Sequence, residues 1–211
     1  SARKRGNCYD FARFMLDKMQ KMEGTETEFI SFCDHEIKPC QNCDYECLSR
    51  IHPKTGLKEY GECPIKDDVE DIWRKVWRVN ILLMLVPTYG GVPPALYVSF
   101  TQRYQSLWRK APPQEDLKKK AIAAVVLASP DGALGGEFTP AIVAGELRCH
   151  ISMGYRQAGF EVINNAGYKT DNVRGHLIEE EEVQRRLSFL TERILETAKK
   201  SKRKRSHKTM G

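Results

Sequence analysis

Two segments of this chain, Ile81 to Val86 and Ile122 to Ala128, are apolar at every position and are separated by helix-length sequence. A strand that is apolar on both faces must be covered on both. The arrangement that does so places helices between parallel strands. Two further β-type segments, Glu28 to Phe32 and Phe160 to Ile163, lie to either side. The fold class expected is therefore α/β, a doubly wound parallel sheet with an inserted cysteine-rich loop and a basic C-terminal tail.

Helical patterns alternate with these strands. Phe11, Met15 and Met19 recur every four residues in a helix expected over about Cys8 to Met22. Val69, Ile72 and Val76 form a stripe over Asp68 to Val79, with Asp67 and Asp68 placed where acids favour a helix start. Trp73 and Trp77 lie beside that stripe, positions suited to core packing or a subunit contact. Further helices are expected over Ala95 to Leu107, Phe138 to Ala158 and Glu179 to Lys200, the last opening on acids and closing on lysines.

At 211 residues the chain suits one domain plus a tail. The formal charge of +6 is uneven: seven of the 34 basic residues fall in 199–211, leaving 27 against 28 acidic residues elsewhere. The expected division is a domain over 1–198 and a disordered basic tail over 199–211. Such a tail can touch nucleic acid, but a near-neutral body lacks the basic face that binding needs, so nucleic acid is not expected as a partner. The longest apolar run, Ala121 to Ala128, is eight residues, far from the roughly 20 of a membrane helix, and no membrane association is expected.

The stretch over 33–66 breaks the α/β rhythm and carries most of the seven cysteines. Cys40, Cys43 and Cys47 follow a C-x2-C-x3-C spacing, with Cys63 beyond fifteen intervening residues. Four thiolates satisfy a tetrahedral zinc or a [4Fe-4S] cluster. Small buried thiols are the plain alternative, and three within eight positions argue against it. An odd cysteine number and no secretory-type start point to a reducing cytoplasm.

Three glycine-permissive loops stand at strand or helix junctions. Ser1, Arg3, Gly6, Asn7 and Cys8 precede the first helix, where free N–H groups and the helix dipole suit a phosphate. Taken alone, the loop reads first as a simple helix cap. No strand precedes this loop, although a phosphate loop in a doubly wound fold follows the first strand; that strand is expected ahead of Ser1. Pro87, Thr88, Tyr89, Gly90, Gly91 and Val92 follow the most apolar strand, with two glycines that allow close approach of a flat ring. Ser129 to Glu137, with Gly135 and Gly136, follows the next strand. Such loops meet at the carboxyl edge, where ligands bind in this architecture.

In this order SARKRGN before a helix, CPIKDD, LVPTYGGVPPAL and SPDGALGGE resemble the NADPH-dependent FMN reductase family of flavodoxin-like proteins. The cysteine loop makes the chain most similar to the iron-sulfur flavoprotein branch. The resemblance implies an FMN phosphate held by Ser1, Arg3, Asn7 and Cys8, Cys8 standing where the family usually has Ser or Thr. It implies an isoalloxazine ring lined by Pro87 to Val92 and closed on its other side by Ser129, Gly135 and Gly136. It favours iron-sulfur over zinc at Cys40, Cys43, Cys47 and Cys63, although the family's fourth cysteine follows the third more closely. Tyr97 and Gln102-Arg103 stand where the family usually carries a Lys and an Asp-Arg pair. The implied activity is NAD(P)H-dependent FMN reductase-like electron transfer, with NAD(P)H or a ferredoxin-like donor and a homo-oligomer, dimer or tetramer. No acid-base catalytic residue is expected.

Overall fold

The computed structural model describes residues 4–43, 47, 50–51, 54–56, 58–59, 63–104, 110–128, 132–164 and 175–206. In chain order the helices are α1 (Asn7–Gln20), α2 (Val69–Arg78), α3 (Ala95–Gln102), the single turn α4 (Gln114–Leu117), α5 (Gly132–Met153) and α6 (Glu181–Ser206). The strands are β1 (Arg50–Ile51), β2 (Lys58–Glu59), β3 (Ile81–Pro87), β4 (Ala121–Ala128) and β5 (Arg156–Asn164). β1 and β2 form a small antiparallel pair inside the cysteine-rich stretch. The main sheet is parallel, in the order β3-β4-β5, with Ile81 opposite Ala121 and Ala121 opposite Arg156.

β4 is the centre because its sequence, AIAAVVLA, presents no polar atom to either face and little bulk to either layer. Its Ala121, Ala123 and Val125 join Phe11, Met15 and Met19 of α1 and Val183, Leu187, Leu190 and Ile194 of α6 in one core layer. Its alternate residues Ile122, Ala124 and Val126 face Tyr97 of α3, Leu117, and Val143 and Leu147 of α5. The period of two in the strand and the 183, 187, 190, 194 stripe of α6 thus meet as the doubly wound arrangement requires. Trp73 is core: it is 1 % exposed and stacks on Phe100 with ring centroids 4.7 Å apart.

Several boundaries differ from the sequence expectation. Residues 28–31 are extended but join no ladder among the described residues, and 32–34 form a 3-10 turn, so Glu28 to Phe32 is not a strand here. The third loop ends sooner than expected, because α5 already begins at Gly132; Gly135 and Gly136 lie in its backbone. That helix stops at Met153 rather than Ala158. Gly154, at φ 118°, and the bonds Gly154 N–H to Ile151 C=O (2.9 Å) and Tyr155 N–H to His150 C=O (3.1 Å) form a Schellman stop. At the other end of the chain, α6 runs on to Ser206, so the basic run from Lys199 to Ser206 is helical rather than a disordered tail. Lys and Arg are good helix formers and cations suit a helix C-terminus, which lets the helix continue.

β5 carries an extra residue: Ile122 pairs with Gln157 but Ala123 with Gly159, leaving Ala158 as a bulge. α6 crosses closely at this point. A Cβ on Gly159 would clash with Leu190 Cδ1, whose side chain is 1 % exposed and hemmed in by the core. Gly159→Val is expected to lower stability by about 2 kcal/mol through overpacking. Urea unfolding measures this, and a variant as stable as the parent would contradict the close approach.

Candidate functional site

The strands are parallel, so Pro87, Ala128 and Asn164 all end at one rim. α1 starts at the same rim. Asn7 is 5 % exposed, and its Oδ1 accepts the Leu177 N–H (3.1 Å) in the turn that follows β5 and precedes α6. Gly6, at φ 148° with open space where a Cβ would stand, caps α1 without a side-chain bond. The α1 amino end therefore keeps the polarity that suits an anion. Cys8, directly after, is buried, and burial pushes its thiol up to about 12, so it stands as a neutral S–H.

The turn after β3 is tightly built. Tyr89 N–H donates to Val92 C=O (2.9 Å) and Val92 N–H to Tyr89 C=O (3.2 Å). Gly90 and Gly91 between them sit at φ 56° and 83°, which only glycine adopts without strain. A Cβ on Gly90 would meet only open space. Thr88 N–H donates to Leu127 C=O (2.9 Å), tying the turn to β4, and Thr139 Oγ1, buried on α5, donates to Gly91 C=O (3.4 Å). The Thr88 hydroxyl is buried with no hydrogen-bond partner among the described residues. A buried hydroxyl left unpaired is costly unless something fills its bonding capacity.

One cleft of about 850 Å3 is lined by Lys4 and Cys8 at the start of α1 and by Pro87 and Pro94, which flank the glycine turn. Tyr97 also lines it, buried, with a hydroxyl whose ionisation burial pushes well above the ordinary range. It is neutral at physiological pH. Ser1, Arg3 and Ser129 lie outside the described residues, and Gly135 and Gly136 belong to α5.

Cys40 is exposed, whereas Cys43, Cys47 and Cys63 are half-buried. The Cys47 thiol is pushed up first by burial and then by the charges of Cys63, Cys43 and Cys40. No three His, Cys, Asp or Glu side chains are arranged around a metal position among the described residues.

Sequence reasoning missed what stands behind this group. Arg103, at the end of α3, is 2 % exposed and pairs with the fully buried Asp67. Its Nη2 also donates to Ile65 C=O (3.2 Å) and Cys63 Sγ (3.4 Å). Asp67 accepts from the backbone N–H of Lys38 (2.9 Å) and Val69 (3.2 Å), so one carboxylate ties the stretch before Cys40 to α2 and α3. The signal was present in the Asp67-Asp68 pair, but a pair of acids before a helix reads first as a dipole effect.

A parallel sheet covered on both faces, with a glycine turn and a helix start at its carboxyl rim, is an α/β architecture of the kind that binds ligands outside the carboxyl ends of its strands. A profile of the family described as NADPH-dependent FMN reductase matches residues 1–152, and the chain belongs to that family. It is 37 % identical over 97 residues to an iron-sulfur flavoprotein of Methanocaldococcus jannaschii, a stretch covering 46 % of this chain and 44 % of that one. An iron-sulfur flavoprotein of Archaeoglobus fulgidus is 31 % identical over 90 residues, 43 % of this chain and 40 % of its own. The matched stretch thus spans less than half the length of these two relatives. Among solved structures, the Trp repressor binding protein of Bacillus subtilis superposes with a TM-score of 0.55 at 15 % identity, covering 89 % of this chain and 93 % of that one. A flavone reductase gives 0.54 at 16 %, covering 93 % and 59 %. These two likenesses establish the flavodoxin-like fold. No helix among the described residues is long and apolar enough to cross a membrane.

Proposed function

We propose that this chain is an FMN-dependent oxidoreductase that moves electrons between NAD(P)H or a ferredoxin-like donor, FMN and a [4Fe-4S] cluster, acting as a homo-oligomer in a reducing cytoplasm. The observation that carries the reading is the family match over 1–152, which spans the α1 start and the glycine turn after β3.

The residues present fit FMN. The uncapped α1 start, with the Asn7 and Cys8 side chains and the Ser1 and Arg3 positions ahead of them, would hold the phosphate. The Gly90-Gly91 turn, open above Gly90, would lie against the ring together with Pro87, Tyr89 and Val92. The unpartnered Thr88 hydroxyl is a donor for a ring heteroatom or carbonyl. Ser129, Gly135 and Gly136 would close the opposite side from the segment that opens α5. When bound, FMN supplies hydride acceptance together with release of single electrons. The protein then needs no acid or base of its own. Thr139 and Leu127 hold the turn rigid through Gly91 C=O and Thr88 N–H, so the ring would meet a preorganised wall.

Cys40, Cys43, Cys47 and Cys63 would hold the cluster, and the names of the relatives support iron-sulfur there. Ligation needs these thiols in their thiolate form, which a bound cation stabilises. Arg103 would donate to the Cys63 sulfur, a bond of the kind that sets a cluster's potential. The competing reading keeps FMN but places structural zinc on the cysteines.

An absorption spectrum of protein purified without oxygen tests this. Flavin bands with a broad sulfur-to-iron shoulder are expected. Flavin bands alone would select zinc, and colourless protein that stays so after incubation with FMN would remove the flavoprotein reading.

A further inference from the structure

Fifteen residues separate Cys47 from Cys63, a long interval for two ligands of one site. The fold closes that interval from outside and from inside. Outside it, residues 35–38 lie along residues 65–68. Asp68 N–H donates to Glu36 C=O (3.0 Å), Glu36 N–H to Asp68 Oδ2 (2.9 Å), Lys38 N–H to Asp67 Oδ2 (2.9 Å) and Lys38 Nζ to Lys66 C=O (3.1 Å). Ile37, between these bonds, is buried in one cluster with Val69, Trp73 and Phe100. Inside the interval, β1 and β2 pair Arg50 with Glu59, so the chain leaves and comes back to the same place.

Arg103 locks the two strips together. Its side chain is 2 % exposed and pairs with the fully buried Asp67 carboxylate. The same guanidinium donates through Nη2 to Ile65 C=O (3.2 Å) and Cys63 Sγ (3.4 Å). A pair removed from water stays closed, because opening it strands a buried charge. Two residues of chain span at most about 7 Å, so Cys40, two beyond Lys38, and Cys63, two before Ile65, are both tethered to this clasp. The clasp in turn is seated on the core through Ile37 and α2.

Resting on the reading of the cysteines as metal ligands, we propose that Arg103 is the positioning residue of that site: locked to Asp67, it sets the Cys63 sulfur beside the Cys40 arm from the core side, and the 50–59 hairpin is an excursion that metal binding does not need. The fourth ligand then takes its place from the junction of α2 and α3 and not from the loop that joins it to the third.

Cobalt(II) titration of the full chain after removal of bound metal, followed by thiolate-to-cobalt absorption, tests this without iron or flavin. Replacing 51–58 by Asn-Gly, a two-residue turn that suits the paired neighbours Arg50 and Glu59, is expected to leave cobalt affinity at the parental level. Arg103→Lys keeps a cation for Asp67 but lacks the planar fork that serves Ile65 and Cys63 together. It is expected to weaken cobalt binding about 10-fold or more and to shift the absorption band, since one sulfur loses its donor. Loss of binding in the hairpin variant would place the ligand geometry in the loop and overturn the proposal. So would parental affinity in Arg103→Lys, or weaker binding with an unshifted band, which would make the arginine merely structural. These failures leave the parent's flavin and iron bands, and the proposed function, standing. A parent with no thiolate-to-cobalt band would instead remove the cysteine site itself, and this inference with it.

Discussion

Replacing Asp67 with alanine is expected to lower the unfolding free energy by about 3–5 kcal/mol, a large share of what a domain of this size has. The carboxylate is fully buried and is the counter-charge of Arg103, itself 2 % exposed. Removing it strands a guanidinium away from water and frees two backbone donors, Lys38 N–H and Val69 N–H. The loss is attributable to the stranded charge if the double variant Asp67→Asn with Arg103→Met recovers most of it, since asparagine keeps the acceptor and methionine the volume. Urea unfolding of the two variants decides the matter. A single-variant loss below about 1 kcal/mol would mean that water reaches the pair.

Changing Cys43 to serine is expected to abolish iron binding while leaving FMN binding at the parental level. Cys43 is one of the four cysteines proposed to hold the cluster, and a serine hydroxyl does not replace a thiolate ligand. The α1 start and the glycine turn proposed to hold FMN share no residue with this group. Cys149, exposed on α5, serves as control: its serine variant should keep its iron. Iron and sulfide analysis beside the visible spectrum reads both variants. Unchanged iron in the Cys43 variant would remove the ligand assignment, and iron lost equally from the Cys149 variant would point to general instability.

Much of this architecture was legible before any coordinates. Ile122 to Ala128 could only be a central strand, because nothing in it tolerates water. The Phe11-Met15-Met19 and Val69-Ile72-Val76 stripes announced helices with one buried face each. The two glycines of PTYGGV signalled a turn that needs positive φ, and Gly90 and Gly91 have it. These features depend on neighbours within a few positions, where side-chain period and backbone freedom act directly.

Other features were not legible. Glu28 to Phe32 has strand-like residues, but a strand exists only when a partner accepts its hydrogen bonds, and that partner is not decided by the segment itself. The start of α5 at Gly132 ran against glycine's low helix propensity, which tertiary packing commonly overrides. What the amino-acid order determined alone was the alternation of helix and strand, the apolar faces, and the placing of flexible turns after strands. What required the folded chain was the meeting of distant groups: Asp67 with Arg103 and Cys63, Thr139 with Gly91, Gly159 under Leu190, and the open edge of β3. The reason is physical: local preference acts between neighbours in sequence, whereas buried charge pairs, close approaches and strand partners arise only when topology sets residues far apart in the chain side by side.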